Sequence, residues 1–168
     1  MSTLILTTER TYLREFNNLD IEALTLLLAD PEVMHFSMSG IMTREESQKR
    51  LESHIENYKI GIHSPWAIIY EDNLIGFAGF DLHIVENEEK VQIAFRLMRD
   101  QWGKGLATEV SKALIKYAFD TLKLKEIIAI VDPKNISSIN TLRKIGMAYQ
   151  KTVNYQGLEL DVYNILQV

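Results

Sequence analysis

One run of residues carries the clearest chemical signal in the chain, Trp102-Gly103-Lys104-Gly105-Leu106-Ala107-Thr108. Between a strand and a helix, such a run presents unpaired backbone N–H groups at the positive end of a helix dipole, which is an anion site in the making. Glycines at 103 and 105 let the backbone approach a phosphate closely, and the small Ala107 keeps the first helical turn open. Three readings of the turn compete. A Rossmann turn needs a third glycine where Thr108 stands, together with an all-parallel strand order that the chain lacks. A nucleoside-triphosphate P-loop needs Gly-Lys followed by Ser or Thr, and here Gly105 follows Lys104. Two turn glycines that merely start an ordinary helix remain an open reading of the turn taken alone.

The surrounding elements decide what such a turn can do. Leu4 to Leu6 and Tyr12 to Phe16 read as short extended pieces, after which Asp20 can cap a helix with Ile21, Leu24 and Leu28 on its apolar face. Thr43-Arg44-Glu45-Glu46 matches a capping box, and Leu51, Ile55 and Tyr58 continue a second helix that Gly61 stops. From Trp66 the period becomes two: Trp66, Ile68 and Tyr70 alternate, Asp72-Asn73 turns the chain, and Leu74 opens a strand running to about Val85. An acidic loop, Glu86-Asn87-Glu88-Glu89, leads to a strand from Val91 to Met98. The glycine turn follows, then a helix from Lys104 to about Thr121 that buries Leu106, Val110, Leu114, Tyr117 and Ala118. Ile127 to Val131 is apolar without alternation, which suits a strand buried on both faces and reached by a parallel crossover. A short helix ending at Gly146 and a hairpin turning at Gln156-Gly157 complete the chain.

Composition narrows the function. A chain of 168 residues, 46% hydrophobic and 24% charged, is expected to fold as one domain over residues 1–168. Its net charge of −5 disfavours a partner held by phosphate neutralisation, so no nucleic acid is expected, and amine or cationic substrates fit the balance better. Without cysteine there is no disulfide framework, no thiolate metal site and no cysteine nucleophile. The first ten residues lack a basic start followed by a long apolar run, and no stretch is long enough to span a bilayer. A cytoplasmic location away from the membrane follows by default.

The order helix, helix, antiparallel strands, glycine turn, long helix and buried strand, with Asn135-Ile136-Ser137-Ser138 and Lys144-Ile145-Gly146-Met147 after it, resembles the GNAT superfamily from about Leu4 onward. Trp102 to Glu109 matches throughout the turn of the branch that contains ribosomal-protein N-terminal acetyltransferases, and Asp30-Pro31-Glu32-Val33 fits that branch too. Met147 departs from the family's usual Phe, and Gln92 stands where many members carry a Glu.

The resemblance implies an α/β domain with a mixed, mostly antiparallel twisted sheet, about four helices on its two faces, and splayed fourth and fifth strands. In such enzymes acetyl-coenzyme A is the co-substrate and no metal is used. The pantetheine arm pairs with the fourth strand's free edge, by position Phe95, Arg96 and Leu97. The pyrophosphate sits on the N–H groups of Gly103, Lys104, Gly105, Leu106, Ala107 and Thr108, and Asn135 bonds the pantetheine. Lys104 or Lys144 can meet adenosine phosphates. The amine acceptor is a protein N-terminus or a small molecule such as a polyamine, an aminoglycoside or an amino acid derivative; a non-catalytic acyl-coenzyme A-binding module is the rival reading. The protein is expected as a monomer or homodimer.

The reaction implied is direct attack of a neutral amine on the thioester. An α-amine with a pKa near 7.8 gives up only about 1 kcal/mol at pH 7 to reach that form, against roughly 4–5 kcal/mol for a lysine-like amine near 10.4. Candidates for taking the proton are Asp81 and His83, on one face of their strand, and Glu89 in the following loop. The tyrosine that many members use toward the departing thiolate is Leu142 here, which leaves Ser138, or more remotely Tyr163. Ser138 has a plain alternative as a hydroxyl serving backbone near a helix start. Trp66 is expected to pack between strand and helix.

Overall fold

The computed structural model describes residues 1–61 and 63–168. Eight strands form one sheet: β1 (Leu4–Thr7), β2 (Thr11–Arg14), β3 (Trp66–Tyr70), β4 (Asn73–Val85), β5 (Glu88–Leu97), β6 (Glu126–Val131), β7 (Ala148–Tyr155) and β8 (Leu158–Leu166). Their spatial order is β1-β2-β3-β4-β5-β6-β8-β7. Neighbours are antiparallel except β5 and β6, which run parallel. The helices are α1 (Ile21–Ala29), α2 (Arg44–Ile60), α3 (Leu106–Asp120) and α4 (Ile136–Lys144).

Strand alternation deals the apolar residues to two layers. Trp66, Ile68 and Tyr70 join Phe80, Ile93 and Leu97 under Leu106, Val110 and Leu114 of α3 and Ile139 and Leu142 of α4. Ala67, Ile69 and Phe77 face the other way, onto Leu24, Leu27 and Leu28 of α1 and Leu51 of α2. β6 is the strand read as buried on both faces: Ile127, Ala129 and Val131 enter the first layer, while Ile128 meets Val85, Val153 and Val162 on the second. Trp66 packs edge-on against Phe80 and against Tyr117 of α3, with ring centroids 6.1 and 5.8 Å apart.

The α2 termini follow the sequence signals. The Thr43 hydroxyl accepts from the Glu46 N–H at 3.2 Å, the Glu46 carboxylate accepts from the Thr43 N–H at 2.7 Å, and Gly61 at φ 71° closes the helix. Asp20 is different. It precedes α1 but makes no side-chain cap bond; its carboxylate is taken by Arg14, at 2.8 and 2.9 Å, and by the Asn17 N–H. The Arg14 guanidinium binds it bidentately and the Asn17 N–H donates to it in a capping box on the 3-10 turn Asn18–Asp20, so none of the carboxylate is left to cap α1. Two turns also shift. The β3–β4 turn falls on Glu71-Asp72, and the acidic loop contracts to Glu86-Asn87, both pairs at positive φ, so Glu88 and Glu89 join β5.

Candidate functional site

β5 and β6 touch at one backbone rung, Gln92 opposite Ile128, and diverge beyond it. Being parallel, both point their carboxyl ends the same way, β5 toward α3 and β6 toward α4. Ligand crevices in open α/β sheets form at such a place. The Met98 N–H bonds the Ile75 carbonyl at 2.8 Å. This fixes the alternation of the β4–β5 ladder, so the backbone groups of Phe95 and Leu97 face the gap while those of Arg96 turn to β4. The Leu97 carbonyl accepts from the Trp102 indole N–H at 3.0 Å, which ties the glycine turn to the strand end.

Gly103 and Gly105 both adopt left-handed backbone, at φ 76° and 78°. A Cβ on Gly103 would meet no atom within 4 Å, and one on Gly105 only the Arg10 guanidinium at 3.6 Å. The turn is open on its outer side. Among the described residues, no protein group accepts from the N–H groups of Gly103, Lys104, Gly105, Leu106, Ala107 or Thr108; the first helical bond runs from the Glu109 N–H to the Gly105 carbonyl. A run of unpaired donors at a helix start, with nothing of the protein across it, fits a pyrophosphate.

Thr8 and Arg10, both outside the sequence reading, hold this turn through Glu109 and the Lys104 carbonyl. Glu109 accepts from the Thr8 hydroxyl at 2.6 Å, the Arg10 N–H at 2.8 Å and the Arg10 Nε at 2.7 Å, and Arg10 Nη1 donates to the Lys104 carbonyl at 3.0 Å. Burial would raise the Glu109 carboxyl, but the Thr8 hydroxyl, the Arg10 N–H and the guanidinium together hold it below its usual range. An acidic residue in a helix's first turn is a visible signal. Its partner on a hairpin 99 residues away is not.

Across the gap, Asn135 caps α4: its Oδ1 accepts from the Ser138 N–H at 3.2 Å. The Ser138 side chain is half-buried in the first turn of that helix. On the β4–β5 face toward α2, Asp81, His83 and Gln92 meet. The His83 Nε2 lies 3.1 Å from Asp81 Oδ1, and Gln92 Nε2 is 3.2 Å from each of them. His83 Nδ1 bonds the Tyr155 hydroxyl. Gln92 does more than occupy a family glutamate's place, since its Oε1 accepts from the Ile130 N–H at 3.2 Å and replaces a ladder bond that the splay removes. Glu89 is exposed on the opposite face, and Tyr163 is 3% exposed in the layer under α4. Lys104 reaches Gln101 at 3.0 Å and lies over the Tyr70 ring, and Lys144 is exposed at the end of α4.

Residues 10–148 match the family model described as an acetyltransferase (GNAT) domain. The chain is 32% identical to a Bacillus licheniformis protein described as the uncharacterised N-acetyltransferase p20, over 93% of this chain and 91% of that one. It is 26% identical to the spermine/spermidine N(1)-acetyltransferase of Bacillus subtilis, over 74% and 90%. Its fold superposes with a TM-score of 0.83 on RimL, a ribosomal L7/L12 α-N-protein acetyltransferase in complex with coenzyme A, over 98% of both chains at 16% identity. Among the described residues, no three His, Cys, Asp or Glu side chains are grouped to hold a metal ion, and no helix is long and apolar enough to cross a membrane. With the split between β5 and β6 and the bare donors of the glycine turn, these likenesses make the chain a member of the GNAT family of N-acetyltransferases.

Proposed function

We propose that the protein transfers acetyl from acetyl-coenzyme A to a primary amine by direct attack on the thioester. The observation that carries this reading is the gap at the carboxyl ends of β5 and β6, with unpaired N–H groups at the start of α3 on one side and the start of α4 on the other. The N–H groups of Gly103 to Thr108 hold the pyrophosphate, with the Arg10 guanidinium beside Gly105 adding positive charge. The exposed backbone groups of Phe95 and Leu97 align the pantetheine as an added strand, and Asn135 and Ser138 face it from α4. A β5 N–H stabilises the negative charge that develops on the thioester oxygen during attack.

Asp81 and His83 form the polar cluster beside the rung where the gap closes, and they take the amine proton directly or through water. The Ser138 hydroxyl, with no hydrogen-bond partner among the described residues, serves the departing thiolate. The weak demand for a base favours an α-amine over a lysine-like one. RimL's complex with coenzyme A supports the donor through a shared fold.

The test has two parts. Coenzyme A raises the melting temperature, because it binds the folded state alone, and Ser138→Ala lowers turnover, followed as released thiol, while leaving acetyl-coenzyme A affinity unchanged. Saturating coenzyme A with neither a melting shift nor heat of binding refutes the donor; full turnover in Ser138→Ala removes the serine from the mechanism.

A further inference from the structure

The chain pairs most of its structurally engaged arginines with acids. Arg10 meets Glu109 at 2.7 Å, Arg14 meets Asp20 at 2.8 Å and Arg99 meets Glu32 at 2.7 Å. Two arginines on the α2 side of the sheet break the pattern. Arg96 projects from β5 on the face it shares with its cross-strand neighbour Phe77. Its guanidinium lies 5.7 Å over the Phe77 ring and 3.0 Å from the Met34 sulfur, and among the described residues no carboxylate comes within 4 Å. Arg50, on α2, is half-buried and also has no carboxylate within 4 Å among the described residues. Burial, joined by the charge of Arg50, pulls Arg96 down to about 10, and burial lowers Arg50 as well. The charge of Asp81 partly offsets this for Arg50, and its carboxylate is engaged by His83 and Gln92. Lys90, farther along the same face, is already neutralised by Glu126 and Glu88.

A rung nearly bare of side chains separates these groups. Between the Phe77–Arg96 and Asp81–Gln92 rungs lies Gly79 opposite Ala94, a rung with almost no side chain. Ser64 and Pro65 pass so close over Gly79 that a Cβ there would stand 2.8 Å from the Pro65 Cα. His54, one turn beyond Arg50, bonds the Ser64 hydroxyl through Nδ1 at 2.7 Å and leaves a buried Nε2 without a partner among the described residues. This stretch thus combines the small Ala94, a wall of backbone, the Gln92 amide that reaches β6, and two half-buried cations that no carboxylate among the described residues pairs directly.

We infer that the amine acceptor carries a carboxylate, which Arg50 and Arg96 bind beside this rung while its amino group is presented at the Gln92 amide. This rests on the proposed acetyl transfer and specifies its substrate class: an amino acid derivative, or a peptide whose acidic group lies near its α-amine. The local field is opposite in sign to the chain's net charge of −5, so the amine-for-acid balance of the whole surface does not describe the site. A polyamine, all cation, is repelled by the same two guanidiniums, and the chain departs here from the acceptor named for its spermine/spermidine relative.

Matched amines test this: free amino acids against their amides, dipeptides with acidic second residues against their glutamine and asparagine counterparts, and spermidine, each assayed by thiol release at saturating acetyl-coenzyme A. The acid of each pair has a KM lower by about tenfold or more, and the better of the two series identifies whether the acid comes from a free amino acid or a peptide. Arg96→Met and Arg50→Gln raise KM for the acid and leave the amide's KM unchanged, while Arg143→Gln, an exposed arginine on α4, changes neither. Arg96→Met also raises the melting temperature, because it removes an unpaired charge; an arginine present only to pack on Phe77 would lower it. Equal KM for acid and amide, preference for spermidine, absence of turnover with every acid, or an acid–amide ratio untouched by both variants overturns the inference. Calorimetry with acetyl-coenzyme A on the same samples keeps it separate from the reading beneath it: normal donor binding with any of these outcomes removes only the carboxylate.

Discussion

Gly105→Val separates the backbone's role in the turn from that of its side chains. Gly105 sits at φ 78°, where a β-branched residue is strained by roughly 1–3 kcal/mol. Steric contact adds little, since the nearest atom to a new Cβ is the Arg10 Nη2 at 3.6 Å. The free protein therefore loses about 1–3 kcal/mol, or roughly 2–12 °C in melting temperature for a chain of this size. Binding suffers more. If the strained turn re-aims even two N–H groups, each forming a charge-assisted bond of about 1.5–3 kcal/mol to phosphate, the loss is about 3–6 kcal/mol, or 10²- to 10⁴-fold in Kd. Lys104→Ala removes a side chain engaged with Gln101 and Tyr70 and costs about 1 kcal/mol, near fivefold. Isothermal calorimetry with acetyl-coenzyme A on both variants, after circular dichroism establishes the fold, gives the ratio. A folded Gly105→Val protein with unchanged affinity would show that the pyrophosphate is held elsewhere.

Glu109→Gln should lower the melting temperature by several degrees and weaken coenzyme binding without altering KM for the amine, since Glu109 positions Arg10 and the Lys104 carbonyl rather than the acceptor. Its folded carboxyl lies below the unfolded value, so its contribution is complete above about pH 4.5 and is lost as pH falls through the folded pKa; thermal melts of both proteins from pH 7 to 3 should converge at the acid end. For His54 the window differs. Burial, with Arg50 beside it and only partly offset by Asp81, holds the imidazole at about 4. The unfolded chain takes up its proton near 6.5 and the folded one does not, so stability is full above pH 6.5 and falls by about 3 kcal/mol on acidification to pH 4. Denaturant titrations of His54→Gln should show a flatter fall across that window, and an unchanged slope would place the titrating group elsewhere.

Much of this architecture was legible because single residues spoke for it. The alternation at Trp66, Ile68 and Tyr70, the unbroken apolar run at β6, and the Thr43–Glu46 box each have a local physical cause, and each is present in the fold. The glycine turn was legible for the same reason. What the chain order hid were pairings between distant segments. Arg14 claims Asp20 from its expected cap, Glu109 reaches Thr8 and Arg10, and Gln92 spans three strands through one amide. Periodicity cannot show that, among the described residues, Arg50 and Arg96, on a helix and a strand read separately, lack the acids that Arg10, Arg14, Arg44 and Arg99 find.

The single rung between Gln92 and Ile128 also has a mechanical meaning. An eight-stranded sheet is normally one cooperative plate, yet here β1–β5 and β6–β8 share one backbone rung and are otherwise joined by side chains: those under α3 and α4, the Gln92 amide on the Ile130 N–H, the Lys90–Glu126 pair, His83 on Tyr155, and Val85 against Ile128. Pulled apart across the strands, the molecule is expected to yield first at that seam, and the Phe95 and Leu97 amides, which face the gap, exchange without global unfolding. A molecule lying in the gap as an extra strand supplies the missing rungs. If the pantetheine lies there as proposed, its binding stiffens the seam and its release loosens it.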